Sequence, residues 1–270
     1  MTKVIVSEKE FYMDGYLKNN LDTAKDIIKK DWDMIFLGDG YEGVGKSVCI
    51  MQCAFYCDPT LSIDRIVFSP NEFQKAVMKA EKFQAIIYDE AYTGLNSRAA
   101  MTMVNRALVK MFAEIRQKNL FIFVVMPTFF DLDKYIALWR SRALIHVYTG
   151  DGFERGYFAF YNVDLKKQLY VVGKKFYSYS GVRPNFIGRF TNFYPVDEEA
   201  YRKKKKILSV ERENKQVEAE MERETQDRLF KNVVTSSVEM SHDQKAKILG
   251  LPISTYYYKL QQFKQKEGLE

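Results

Sequence analysis

The sequence predicts an α/β fold built around a mostly parallel sheet. Three observations lead to this expectation. Short apolar runs, typical of buried parallel strands, alternate with helical patterns between residues 34 and 148. The first run ends in glycines and passes directly into a helical segment. Apolar residues make up 47% of the 270 residues, which is enough for a substantial core.

The expected elements follow in a regular order. A short extended start and a helix account for residues 1–31, where apolar residues recur at helical spacing. The buried strands are expected at 34–37, 65–69, 85–88, 120–126 and 143–148. After a turn signal at Asp151-Gly152, residues 153–162 and 169–172 predict antiparallel strands. Residues 173–196 are expected to be irregular.

The character of the chain changes near residue 197. Residues 198–231 are highly charged and contain neither Gly nor Pro, which predicts a long solvated helix. We therefore divide the chain into three parts: 1–196, a linker at 197–231 and a small helical module at 232–270. A basic run in the linker, which includes Lys203 and Lys204, has two interpretations: a solvated helix face or a contact with a polyanion.

Net charge, cysteine content and the length of the apolar runs bear on the partners, the metal sites and the location that the sequence allows. The formal net charge of +6 permits a polyanionic partner without indicating one. Cys49, Cys53 and Cys57 are four residues apart and fall on one helix face. We expect them to pack in the core, since a metal site would need a fourth ligand. Charges near the start and the absence of a long apolar run predict no signal peptide, no membrane span and a cytoplasmic protein, in the host cytoplasm if the chain is viral or plasmid-borne.

One stretch fits the phosphate-binding pattern G-x-x-x-x-G-K-[ST]. It reads Gly40-Tyr41-Glu42-Gly43-Val44-Gly45-Lys46-Ser47. It follows a predicted strand and precedes a predicted helix, which is the context the motif requires. Its glycines let backbone N–H groups wrap around phosphate oxygens. Lys46 would reach the phosphates of ATP, and Ser47 would be a ligand of Mg²⁺.

A second motif follows the strand at 85–88. Asp89 at the end of that strand is the expected second Mg²⁺ ligand, and Glu90 would activate the attacking water as a general base. The alternative is a helix-capping Asp beside a solvated Glu. At the end of the strand at 120–126, Thr128 is a candidate sensor of the γ-phosphate, or else a helix cap.

With both motifs in place, the order of parts over residues 33–150 resembles the FtsK–HerA branch of P-loop ATPases. That branch includes DNA translocases, packaging ATPases and zonula-occludens-toxin-like phage proteins. The resemblance implies a RecA-like (ASCE) P-loop fold and an oligomeric ring, a hexamer or pentamer. It also implies that Arg116 is an arginine finger acting on a neighbouring subunit, with Arg140 and Arg142 as competitors. The family often has Gln where this chain has Met126-Pro127-Thr128.

The C-terminal segment resembles a helix-turn-helix. In residues 241–263 we expect Ser254 to cap the second helix and Tyr256, Leu260 and Phe263 to pack inward. The residues expected to face outward and contact DNA are Thr255, Tyr258, Lys259 and Gln262. The alternative is a helical hairpin that contacts a subunit or a partner protein.

Two functions fit these features. The first is a Mg²⁺-dependent ATPase that moves or packages DNA through a ring. The second is an ATP-dependent binding or assembly factor that does not translocate processively. Stimulation of ATP turnover by double-stranded DNA would favour the first.

Overall fold

The chain begins with a hairpin and a helix. The computed structural model describes residues 3–89, 105–106, 108–113, 115, 118–236 and 238–267. Strands β1 (Lys3–Val6) and β2 (Lys9–Tyr12) pair antiparallel. Helix α1 (Gly15–Ile28) follows, and the Asp14 side chain caps it by accepting hydrogen bonds from two N–H groups of the first turn. The extended start followed by a helix is therefore confirmed.

A seven-stranded sheet forms the centre of the fold. Its strands are β3 (Met34–Asp39), β4 (Ile66–Val67), β5 (Ala85–Tyr88), β6 (Phe121–Val125), β7 (Ala143–Tyr148), β8 (Tyr157–Tyr161) and β9 (Phe186–Arg189). Their spatial order is β4-β5-β6-β3-β7-β8-β9. The first five in that order are parallel, whereas β8 and β9 are antiparallel additions. The expectation of a mostly parallel sheet is confirmed.

Helices cover both faces of the sheet. The helices that follow α1 are α2 (Lys46–Cys57), α3 (Pro70–Lys79) and α4 (Val163–Gly173). Because neighbouring strand residues point to opposite faces, Phe36 belongs to one buried cluster and Ile35 to the other. The three cysteines of α2 are all buried, as expected from their spacing.

Two expectations for residues 163–196 are wrong. The predicted strand at 169–172 is part of helix α4, whose first turn is capped by Asn162 through a hydrogen bond from the Leu165 N–H. A four-residue apolar run does not by itself distinguish a strand from a helix segment. The stretch at 173–196, expected to be irregular, contains β9, which extends the sheet by pairing with β8.

The connection between β6 and β7 has two short helical turns. One is a 3₁₀ turn at Phe129–Asp131, and the other is a π-helical turn at Ile136–Arg140. The sequence pattern also predicts a helix over 132–140, of which residues 134–140 are helical.

The chain divides into two compact units, Met1–Leu208 and Ser209–Glu270. Helix α5 (Glu198–Val234) begins in the first unit and ends in the second. The second unit also contains α6 (His242–Ile248) and α7 (Ile253–Glu267). Its core is small: the buried residues are Phe230, Ala246, Tyr256 and Leu260. None of the helices in the described ranges has both the length and the apolar character of a membrane span.

Candidate functional site

The glycine-rich loop joins β3 to α2 at the carboxyl edge of the parallel strands. Gly40, Gly43 and Gly45 have φ angles of 139°, 80° and 98°, in the region that favours glycine. A Cβ on Gly40 would lie 2.0 Å from the Val147 carbonyl oxygen, so the backbones approach too closely for any side chain. The loop is thus held in a tight turn that ends at the first residue of α2.

Lys46 folds back over this loop. Its Nζ donates hydrogen bonds to the carbonyl oxygens of Gly40 and Tyr41, both at 2.7 Å. Burial lowers the pKa of Lys46 from its ordinary value, while the negative charges of Asp89 and Asp39 act in the opposite direction. A partly buried ammonium above a glycine-rich turn at a helix N-terminus is well suited to receive an anion.

The two motifs come together at Ser47 and Asp89. The Ser47 hydroxyl donates a hydrogen bond to Asp89 Oδ1 at 3.1 Å, although 42 residues separate them. Asp89 directly follows β5 and is fully buried. A hydroxyl and a carboxylate side by side are hard oxygen ligands of the kind that Mg²⁺ prefers. These residues therefore fit a magnesium ion bound together with a nucleotide.

Strand β6 lies between the strands that carry the two motifs. The loop follows β3 and Asp89 follows β5, so both groups lie at the same edge of the sheet with the end of β6 between them. In open α/β sheets, ligands bind at this carboxyl edge. The edge has the position and the chemical groups of a nucleotide site.

The Asp89 carboxylate has a further contact that the sequence did not suggest. The Tyr201 hydroxyl, in the first turns of α5, donates a hydrogen bond to Asp89 Oδ2 at 2.6 Å. Only 4% of Tyr201 is exposed. The available signal was a single aromatic residue in the stretch 198–206, whose other residues are charged except Ala200. Sequence reasoning assigned this stretch to solvent or to a polyanion.

A second polar cluster beside the loop was also missed. The fully buried Asp39, at the end of β3, accepts hydrogen bonds from the Tyr179 hydroxyl and from the Phe129 N–H. His146 Nδ1 lies 2.9 Å from Asp39 Oδ1. The His146 ring stacks on the Tyr179 ring, with 3.7 Å between the ring centroids. Burial and the Asp39 charge raise the pKa of Tyr179. The cluster fixes the strand end from which the loop departs.

Thr128 lies after β6 and caps the 3₁₀ turn, its hydroxyl oxygen accepting a hydrogen bond from the Phe130 N–H at 3.3 Å. This contact is the helix-cap alternative considered for Thr128, and a sensor role stays a prediction. Glu90 and Arg116 lie outside the described residues.

Arg140 and Arg142 lie at the opposite edge of the sheet from the loop. Arg140 donates to Asp33 Oδ2 and to the Phe112 carbonyl oxygen, both at 2.6 Å. Arg142 precedes β7, and its guanidinium lies 4.7 Å from the Trp32 ring. Neither side chain lies near the loop of its own chain.

Two lysines of the basic run have different surroundings. Lys203 is exposed. Lys204 is half-buried, and its Nζ donates to the carbonyl oxygens of Ile63 and Ile66 at 3.1 and 2.7 Å. Burial lowers the pKa of Lys204. The Lys204 ammonium is thus engaged by the first unit, and contact of either lysine with DNA remains a prediction.

The C-terminal unit has a turn between α6 and α7. Tyr256 and Leu260 are buried and Phe263 packs against them, as expected. Among the proposed DNA contacts, Thr255, Tyr258 and Gln262 are exposed and Lys259 is half-buried. Ser254 does not cap α7, because that helix already begins at Ile253. A capping box is present instead at the start of α6, between Ser241 and Gln244.

Comparisons with known proteins add a structural likeness. No family model matches the sequence, and no curated protein matches it. A solved structure, the N-terminal domain of zonular occludens toxin from Neisseria meningitidis, is 16% identical with a TM-score of 0.35. The match covers 63% of this chain and 98% of that one. The function of the chain is therefore inferred from the geometry of its site.

Proposed function

We propose that the chain is a Mg²⁺-dependent ATPase whose nucleotide site is formed by the Gly40–Ser47 loop and Asp89. The observation that carries this proposal is the hydrogen bond between Ser47 and Asp89. Two motifs identified separately in the sequence meet there at one edge of a parallel sheet. Ser47 and Asp89 would hold the magnesium ion, which would neutralise charge on the phosphates.

The remaining roles follow from position and chemistry. The loop N–H groups and Lys46 would bind the triphosphate. Glu90, next to Asp89 in the chain, would polarise the attacking water. The position of β6 between β3 and β5 supports a RecA-like arrangement, in which Thr128 approaches the γ-phosphate.

We further propose that ATP hydrolysis drives movement of DNA. The support is the exposed polar face of α7, with Thr255, Tyr258 and Gln262, together with the exposed Lys203. Arg116 would complete the nucleotide site of a neighbouring subunit in a ring, as the resemblance to the FtsK–HerA branch implies.

The test is ATP turnover with and without double-stranded DNA, using the wild type, Glu90→Gln and a chain lacking residues 232–270. We expect turnover that DNA stimulates, nucleotide binding without appreciable turnover in Glu90→Gln, and loss of DNA stimulation but not basal turnover in the shortened chain. ATP-dependent DNA binding without stimulation would instead support an assembly factor. Absence of turnover under all conditions would contradict the ATPase proposal.

The ring is tested by mixing Arg116→Ala subunits with wild-type subunits. A finger acting between subunits makes turnover fall more steeply than the fraction of wild-type protein. A strictly proportional fall would contradict the assignment of Arg116. Mass measurement with and without ATP gives the number of subunits directly.

A further inference from the structure

The first turns of α5 are packed against the proposed metal site. Tyr201 and Asp89 are separated by 112 residues, yet the Tyr201 hydroxyl and Asp89 Oδ2 lie 2.6 Å apart in a buried environment. Hydrogen bonds to carboxylates are shorter and stronger than those between two neutral groups. The contact therefore has the strength to fix the orientation of the carboxylate.

Two hydrogen bonds to Asp89 use different oxygens of its carboxylate. Oδ1 accepts from Ser47, and Oδ2 accepts from Tyr201. A carboxylate oxygen has two lone-pair positions, so accepting a hydrogen bond is compatible with binding a metal ion through the same carboxylate. Tyr201 thus restricts rotation of the carboxylate while Oδ1 stays beside the Ser47 hydroxyl.

The position of Tyr201 does not depend on its hydroxyl alone. The centroid of its ring lies 6.0 Å from that of the Phe68 ring and 6.2 Å from that of the Tyr194 ring. Three residues further along α5, Lys204 donates to backbone carbonyls at 63 and 66, where β4 begins beside β5. Removing only the hydroxyl should therefore leave the helix start in place.

A further cation on α5 lies one helical turn beyond Tyr201. Lys205 follows Tyr201 by four residues and so shares its helix face. The positive charge of Lys205 contributes to the lowered pKa of Lys46. The same helix face thus carries the Tyr201 hydroxyl, which contacts Asp89, and the positive charge of Lys205, which acts on Lys46.

We propose that Tyr201 is a positioning residue of the metal site: its hydroxyl holds the Asp89 carboxylate in the orientation that binds magnesium beside Ser47, and metal–nucleotide binding thereby stabilises the docked start of α5. This inference rests on the proposed nucleotide site, and it adds that the start of α5 regulates metal binding there. Because coupling between two equilibria is reciprocal, loosening of the α5 start weakens metal binding.

The test compares Tyr201→Phe with Tyr194→Phe. Both remove one hydroxyl from neighbouring rings, but among the described residues the Tyr194 hydroxyl accepts a long hydrogen bond, 3.5 Å, from Arg202 and none is made to a carboxylate of the site. Mn²⁺ affinity in the presence of ADP, read by electron paramagnetic resonance, should fall about tenfold or more in Tyr201→Phe, since outer partners of metal ligands typically carry effects of 10–100-fold. It should stay within about twofold in Tyr194→Phe. ADP affinity in excess chelator should be unchanged in both variants.

A second readout separates positioning from general destabilisation. Amide hydrogen exchange over residues 198–208 should slow on addition of Mg²⁺ and ADP in the wild type, and much less in Tyr201→Phe. Tyr201→Phe could lower the Mn²⁺ affinity and the ADP affinity measured in excess chelator by the same factor, or it could lower neither affinity. Either result overturns the positioning role, while the nucleotide site stands. A wild type that binds no nucleotide under either condition overturns the proposed function itself, and the inference with it.

Discussion

The two compact units of this chain build their polar contacts over different sequence distances. In the first unit, Asp89 is bound by Ser47 and Tyr201, which are 42 and 112 residues away. In the second unit, the contact between His242 and Tyr256 spans only 14 residues. A site assembled from distant segments depends on the whole sheet, whereas the second unit depends on a few core side chains. Substitutions in one unit should therefore affect properties that the other does not share.

The largest expected effect is in the second unit. Tyr256 is fully buried there and contacts Phe230. Tyr256→Ala should destabilise this unit by about 3–5 kcal/mol, because a cavity replaces a large ring in a small core. Amide hydrogen exchange should rise across residues 238–267, while nucleotide binding stays unchanged. Tyr258→Ala, at an exposed neighbour, is the matched control; equal exchange in both variants would refute this account of the core.

The next effect is confined to the phosphate loop. Gly40→Ala places a Cβ 2.0 Å from the Val147 carbonyl oxygen, so the loop must shift. We expect ATP affinity to fall about 10- to 100-fold, the equivalent of losing one hydrogen bond to a charged phosphate oxygen, about 1.5–3 kcal/mol. Gly152→Ala is the control, because Gly152 also has a positive φ, 70°, but an added Cβ meets nothing within 4 Å. Calorimetric titration with ATP would compare them; equal affinities would contradict the loop geometry.

The last effect is a dependence of stability on pH and concerns a buried lysine of the first unit. Lys166 is fully buried, and burial lowers its pKa to about 7. Between pH 7 and about 10.4, the unfolded chain holds a proton on Lys166 that the folded chain has released. The free energy of unfolding therefore rises with pH in this window, by up to about 1.4 kcal/mol per unit.

Lys166→Met should remove this rise and increase stability at pH 7, with ATP binding unaffected. Urea unfolding of the first unit at pH 7, 8 and 9 measures the slope. Lys75→Met, at an exposed lysine of α3 whose charge does not contribute to the lowered pKa of Lys166, should keep the wild-type slope. A slope that survives in Lys166→Met would show that another group is responsible.

The parallel strands and the loop could be predicted because their signals are local. A buried strand, a glycine pattern and a helix start lie within residues 34–57, and each is read from adjacent residues. The pairing of Ser47 with Asp89 followed from chemistry, since both residues are expected to be ligands of the same ion. The exposed face of α7 also followed from helical spacing.

The parts that were missed depend on tertiary contacts. Tyr201 and the cluster of Asp39, His146 and Tyr179 form only when distant segments pack together. The apolar run at 169–172 fitted either a strand or a helix, and the Asn162 cap with tertiary packing decided for the helix. The helix that contains the basic run was predicted from composition, whereas the hydrogen bonds of the Lys204 ammonium to backbone carbonyls depend on tertiary packing.

The central claim is that the Gly40–Ser47 loop and Asp89 bind a magnesium nucleotide. The most direct measurement is equilibrium binding of ATP, with Mg²⁺ and with excess chelator, to the wild type, Lys46→Ala and Lys75→Ala, which changes an exposed lysine of α3. We predict that Mg²⁺ strengthens ATP binding by the wild type and by Lys75→Ala. Lys46→Ala should bind ATP at least about 100-fold more weakly, because the positive charge that Lys46 directs at the phosphates is lost. Equal affinity of Lys46→Ala and the wild type, or no binding by the wild type, would contradict the claim.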